Sequence, residues 1–288
     1  LRILILGGDG MLGHQLLRQW QGRHEVRVTL RRDPGAYAGF GLFKPENSYY
    51  GVDIVRTDEL LGVLADFHPQ AVVNAVGIVK QQSAAKESIP SIDINALFPH
   101  RLAVLCQAVE ARLIHMSTDC VFSGRKGNYQ ESDLPDAEDL YGKSKYLGEV
   151  HEAHSVTLRT SIIGTELSRK KSLVEWFLAQ KGPIKGYQKA VFSGFTTMEM
   201  ARIIERLLVQ HPHASGLYHV SSAPISKLEL LAKIKEKLGL SVQIVADESV
   251  SIDRSLDSRR FRMEFGYMPP AWDDMLDELI NDIKRGGR

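Results

Sequence analysis

A tyrosine and a lysine four residues apart, Tyr141 and Lys145 in the stretch Tyr141-Gly-Lys-Ser-Lys145, are the side chains here most suited to moving a proton. That spacing sets them on one face of a helix. A phenol with an ordinary pKa near 10 is a poor acid or base at neutral pH, and an ammonium group beside it favours the phenolate. The same lysine can bond a ribose. Upstream, Ser117-Thr118-Asp119 ends an apolar segment, and the Thr118 hydroxyl can hold a carbonyl in line. A positioned carbonyl, a proton source and a fixed nicotinamide are the requirements of hydride transfer.

A second group of residues could bind the dinucleotide such chemistry needs. Gly7, Gly10 and Gly13 fall where the apolar run Leu1 to Leu6 stops. A tight glycine turn running into a helix points backbone N–H groups outward at the positive end of the helix dipole, which suits a phosphate. Met11 and Leu12, between the last two glycines, are counted with that turn. Arg31 and Arg32 follow the next strand, where an enzyme preferring NAD usually has an acid; arginines suit a 2′-phosphate instead. Asp53, followed by Ile54, could accept from an adenine amino group, or serve as a helix-cap acid. Asn74, Ala75 and Val76 end another strand, and small residues there let the backbone pass close under a cofactor.

The elements that must position these groups are legible as an alternation. Leu1 to Leu6 is a nearly unbroken apolar run, Arg2 excepted, as in a strand buried on both faces. Met11 to Trp20 reads as a helix, Glu25 to Leu30 as strand two, and Tyr49 to Val52 as a short strand three. A helix from Thr57 to about Phe67, strand four at Ala71 to Ala75, a helix from about Pro90 to Val109 and strand five at Leu113 to Ser117 follow. A helix over Tyr141 to about Glu152 leads to strand six at Val156 to Arg159. This predicts an α/β fold with a doubly wound, parallel, Rossmann-type sheet over residues 1–160. Beyond Thr160 the pattern loosens. Helices are expected at 173–180, 198–210, 227–238 and 272–283, with strands near 217–220 and 242–245. Residues 161–288 are expected to form mainly a smaller C-terminal substrate lobe, segments at about 192–220 being candidates for a return to the first domain.

Composition bounds the partners. The 288 residues are 43% hydrophobic and 25% charged, with a formal net charge of +1. That gives no bulk electrostatic case for nucleic acid or membrane, and no apolar run approaches a membrane span. Cys106 and Cys120 lack metal-ligand spacing, so no metal is expected, and they fit a reducing cytoplasm. Cys106 reads as a core thiol and His14 as packed or solvated. Trp176, Phe177 and Trp272 fall at spacings that suit core packing.

The motifs GGDGMLG, NAVG, INALFPHRLA, STDCVFSG, ESDLPDAEDLYGKSK, LRTSIIG, GLYHVS and SLDSRRF together resemble the extended short-chain dehydrogenase/reductases. More closely, the chain is similar to the dTDP-4-dehydrorhamnose reductase family and its sugar-nucleotide relatives in polysaccharide biosynthesis. The resemblance implies that Thr118, Tyr141 and Lys145 are the catalytic trio, that Gly7, Gly10 and Gly13 form the pyrophosphate turn, and that Asp119 contacts substrate. Asn95 matches the helix asparagine that orders the active site in the wider family. The activity implied is reduction of the 4-keto group of a nucleotide-activated 6-deoxysugar with NADPH, NADH remaining possible, by a monomer or homodimer. Cys120 stands where the rhamnose enzymes usually carry an aromatic, and Gly77-Ile-Val-Lys-Gln81 departs from their loop, so UDP-linked 4-keto-6-deoxy amino sugars are equally open. The alternatives are a sugar-nucleotide epimerase or dehydratase, against which Cys120 after Asp119 counts, and a non-catalytic NADP-binding regulatory subunit. Lys80 and Arg254 are candidates to pair with the substrate diphosphate. Candidate walls of that site are Ile78 to Gln82, Thr118 and Asp119, Arg159 to Gly164, and Phe192 to Thr197.

Overall fold

The computed structural model describes residues 1–80 and 86–285. The chain divides into two compact units: Leu1–Ser117 with Asp139–Leu158 and Ala201–Leu217, and Thr118–Glu138 with Arg159–Met200 and the residues from Tyr218 on.

A seven-stranded sheet is built from β1 (Arg2–Leu6), β2 (Glu25–Thr29), β3 (Ser48–Tyr49), β4 (Ala71–Asn74), β5 (Arg112–Thr118), β6 (Ser155–Thr160) and β10 (Gly216–His219). Its order is β10-β6-β5-β4-β1-β2-β3, and β1 pairs in parallel with both β2 and β4. The order therefore reverses between β1 and β4, the kind of switch point at which open α/β sheets bind ligands. Leu4 and Leu6 pack with helices α2 (Thr57–Phe67) and α4 (Phe98–Ala108). Ile3 and Ile5 point to the opposite face by strand alternation and are just as buried. Both faces of β1 are covered from Ile3 on, as the apolar run Ile3–Leu6 requires.

Helix α1 (Gly13–Trp20) starts two residues later than the sequence suggests. The third strand is Ser48–Tyr49, paired with Val28 and Thr29, rather than 49–52. The long helix expected at 90–109 is α3 (Ser88–Ser91), a π-helical stretch (Ile92–Leu97) and α4. Pro99 explains the widening: it has no N–H to offer the Asn95 carbonyl one α-helical turn back. Helix α5 (Leu140–Leu147) stops five residues short of the expected Glu152. Gly148 ends it, packed so closely that a Cβ there would lie 1.9 Å from the Asn95 carbonyl oxygen.

In the second unit, β7 (Ile162–Ile163) pairs with β9 (Phe195–Thr196). A mixed three-stranded sheet joins β8 (Ile184–Phe192), β11 (Ile225–Ser226) and β12 (Ile244–Asp253). Helices α6 (Leu173–Leu178), α7 (Thr197–Gln210), α8 (Lys227–Leu238) and α10 (Trp272–Arg285) lie where expected, α7 running on into the first unit. The nine-residue β8 and helix α9 (Arg259–Phe265) are not foreseen by the pattern, and β12 reaches far beyond 242–245. Phe177 and Trp272 are buried as anticipated, and Cys106 is a buried free thiol. Trp176, at 40% exposure, is not a core residue. No helix among the described residues is long and apolar enough to cross a membrane.

Candidate functional site

In the first unit the chain leaves β1 through Gly7, whose φ of +82° suits glycine. The Gly10 amide donates to the Gly7 carbonyl at 3.0 Å and closes the turn. Helix α1 then packs on it so tightly that a Cβ at Gly13 would lie 2.1 Å from the Gly7 oxygen. The position before α1, Leu12, gives no side-chain cap, and its first turn carries no acid. No acid of that first turn competes with an anion there, and the carboxylate of Asp9, in the turn itself, accepts from the Tyr37 hydroxyl at 3.4 Å. A Cβ on Gly7 would reach Val76 Cγ2 at 2.9 Å, so the end of β4 lies directly against the turn. These features fit a dinucleotide diphosphate.

Around this turn the expected residues hold varied positions. Arg31 and Arg32 are exposed. The Arg32 backbone N–H donates to the Tyr37 hydroxyl at 3.2 Å, and that hydroxyl donates to Asp9 at 3.4 Å. Tyr37 packs edge-on against Phe43. This link between the glycine turn and the end of β2 was not read from the sequence; the aromatic loop between Asp33 and Ser48 carries it. Asp53 accepts from the Val55 amide at 3.2 Å in the turn ahead of α2 and does not cap that helix, whose N-cap position is Arg56. Ile54 and Val76 pack against the core. Asn74 is fully buried, bonded to His115 Nδ1 at 3.1 Å and to the Val76 amide at 3.1 Å. Its side chain shapes the strand end, and Ala75 follows half-buried. His14 is packed, with Nδ1 2.8 Å from the Gly10 carbonyl.

Tyr141 and Lys145 are one turn apart on α5. Asp139 caps that helix by accepting from the Gly142 amide at 2.8 Å. Tyr141 is half-buried; Lys145 is 5% exposed and donates from Nζ to the Met116 carbonyl at 2.7 Å. Burial lowers Lys145 to about 8, opposed by the charge of Glu149. The folded chain thus releases this proton more readily than the unfolded chain does. The group opposes folding below pH of about 8, and the opposition fades as pH rises towards the ordinary lysine value. Asn95, 1% exposed, accepts from the Ile78 amide at 2.9 Å and donates to its carbonyl at 3.0 Å and to Ser144 Oγ at 3.3 Å. One side chain therefore ties the segment after β4 to α5. Lys80 pairs with Asp139 at 2.6 Å, so a diphosphate would have to compete for it. Gln81 and Gln82 lie outside the described residues.

The second unit begins at Thr118, the last residue of β5. The Thr118 hydroxyl accepts from the Cys120 amide and donates to Asp119 Oδ1, both at 3.1 Å. Rotation about its C–O bond would redirect that proton. Asp119 is buried, which raises its pKa against the lowering effect of Arg254. Arg254 is half-buried and donates from Nε to the Phe122 carbonyl at 2.8 Å. Burial, reinforced by Asp119, pushes the Cys120 thiol up to about 12, so it is a neutral group. Two hydroxyls of the segment Phe192 to Thr197 are engaged internally: Thr196 accepts from the Glu199 amide at 3.3 Å, and Ser193 from the Leu256 amide at 2.9 Å.

The profile of the family described as RmlD substrate binding domain matches residues 1–285. The dTDP-4-dehydrorhamnose reductase of Aggregatibacter actinomycetemcomitans is 25% identical over 96% of this chain and 98% of its own. Methionine adenosyltransferase 2 subunit beta of Danio rerio is 24% identical over 83% of this chain and 74% of its own. The crystal structure of dTDP-4-dehydrorhamnose reductase from Bacillus anthracis in complex with NADP is 23% identical, covers 98% of this chain and 99% of that one, and superposes with a TM-score of 0.77.

Proposed function

The chain belongs to the RmlD substrate-binding domain family, and on that premise we propose that it is an NADPH-dependent reductase of the 4-keto group of a nucleotide-activated 6-deoxysugar. The observation that carries the reading is Lys145 buried on the Met116 carbonyl, one helical turn from Tyr141. A buried ammonium needs a reason, and favouring the phenolate of a neighbouring tyrosine supplies one.

Each residue then has a task. Thr118 turns its hydroxyl from Asp119 to the substrate carbonyl oxygen and fixes it. Tyr141 gives its proton to the alkoxide as it forms, and Lys145 stabilises the phenolate left behind. The nicotinamide, when bound, supplies the hydride. The glycine turn at Gly7, Gly10, Met11, Leu12 and Gly13 would hold the diphosphate of the cofactor, with Asp53, Ile54, Asn74, Ala75 and Val76 beside it. Asp119 is assigned to the sugar and Arg254 to the substrate diphosphate; Lys80 is the second candidate. The NADP carried by the Bacillus anthracis structure supports the choice of cofactor.

The reading is tested by following NADPH oxidation against a panel of dTDP- and UDP-linked 4-keto sugars. Turnover of one or more is expected; no turnover of any would overturn it. The likeness to methionine adenosyltransferase 2 subunit beta favours one second reading, a non-catalytic dinucleotide-binding subunit, and the same panel separates the two.

Two substitutions probe the assignments. Arg31 and Arg32 are exposed and free to meet a 2′-phosphate. The unmodified protein is expected to bind NADPH more tightly than NADH, and changing both arginines to alanine should remove most of that preference. Equal affinity for the two cofactors in the unmodified protein refutes this role. Arg254→Ala should raise KM for the sugar nucleotide by about 10-fold or more and leave KM for NADPH unchanged, as a charge-assisted contact of about 1.5–3 kcal/mol implies.

A further inference from the structure

Just past the end of α5 lies a buried carboxylate that the proposed reaction does not use. Glu149 follows Lys145 by four residues, is 3% exposed, and accepts from Ser117 Oγ at 2.6 Å. Consecutive residues of β5 are thus held by two residues of one short segment, Met116 by Lys145 and Ser117 by Glu149. The route by which Glu149 arrives there is built in. Gly148 ends α5 against the Asn95 carbonyl, where no side chain would fit, and the chain drops into the interior. Val150 continues into the core.

A buried ammonium is costly unless a charge answers it, and the charge of Glu149 acts on Lys145 in the sense that keeps it protonated. The other titratable groups near it do not provide a negative charge. His115, on β5, is buried and held neutral by desolvation and by the lysine itself. Tyr141, one turn back on α5, is a neutral phenol until it gives up its proton.

We propose that Glu149 is a positioning residue for Lys145: its buried carboxylate, fixed by Ser117, keeps the ammonium charged and seated on the Met116 carbonyl. Its importance for turnover rests on the reductase reading given above, but its effect on Lys145 does not.

The test reads Lys145 directly in the cofactor-free protein, by NMR titration of lysines labelled with 13C at the ε position. Loss of one resonance in Lys145→Gln assigns the signal. The unmodified protein should titrate near the value of about 8 that burial sets. Glu149→Gln, which keeps the shape and removes the charge, should lower that midpoint by about 1 pH unit or more, the effect of losing a close opposite charge. Glu149→Asp should restore part of the difference. A midpoint unmoved in Glu149→Gln overturns the proposal. If that variant does not fold, Glu149→Asp is decisive in the same way, because a carboxylate drawn back by one methylene must also lower the midpoint. In turnover, the alkaline limb of the kcat profile should move to lower pH with the midpoint, while KM for the sugar nucleotide stays constant. A uniform loss of kcat at every pH, with Lys145 unmoved, is the mark of a merely structural glutamate and refutes the assignment. A shifted midpoint without reduction of any sugar nucleotide supports the role of Glu149 and counts against the reductase reading.

Discussion

Tyr141→Phe is expected to lower turnover of the 4-keto sugar nucleotide by about 10²- to 10⁴-fold, the usual worth of a positioned proton donor. The substitution removes one hydroxyl from a half-buried ring and leaves α5, its Asp139 cap and the Lys145 contact with Met116 in place. Cofactor affinity and melting temperature should therefore stay close to the unmodified values. That separation matters, because a residue that served packing would move Tm and turnover together. The measurement is kcat with a verified substrate beside NADPH binding by fluorescence. Full turnover by the variant would refute the proton-transfer role.

Gly13→Ala should be nearly as damaging for a different reason. The added carbon would lie 2.1 Å from the Gly7 oxygen and 2.9 Å from its carbonyl carbon, both backbone atoms that cannot swing aside. Either α1 or the turn must shift. Overpacking of this kind costs about 1–3 kcal/mol, and the same energy lost from cofactor binding is about 5- to 150-fold in Kd. A weaker NADPH complex and a lower Tm are both expected. Gly62 is the control: it lies in α2 with open space where a Cβ would go. Gly62→Ala should leave binding unchanged and raise stability by about 0.5–1 kcal/mol. Similar NADPH affinity in the Gly13 and Gly62 variants would contradict the cradle.

The strands of the first sheet were legible because burial on both faces writes a nearly unbroken apolar run, interrupted by Arg2 in Leu1 to Leu6 and by Asn74 in Ala71 to Ala75. The helices between them were legible from the spacing of their apolar residues, since α1 and α2 open without a side-chain cap. Strand β12 was not. Its sequence, IVADESVSID, is polar and nowhere fully buried, and it joins β8 as a parallel ladder flanked by ion pairs, Lys185 with Asp247 at 2.8 Å and Lys189 with Glu248 at 2.6 Å. Such a strand is specified by its partner, and no periodicity within its own residues announces it. The same limit applies to the candidate site. Tyr141, Lys145 and the glycines announce themselves by spacing within one segment. Glu149 with Ser117, and Tyr37 with Asp9, are brought together from 32 and 28 residues apart.

Asn95 has a consequence for reading substitutions in this chain. Its amide donates to the Ile78 carbonyl and accepts from the Ile78 amide, as a neighbouring strand would. Aspartate offers no donor for the carbonyl, leucine offers neither partner, and glutamine is longer by a methylene in a site with no spare volume. A library of variants selected only for folding would therefore already be narrow at position 95. Intolerance to change at that position measures the demand of two backbone groups in a buried place, and cannot by itself be counted as evidence of a role in the reaction.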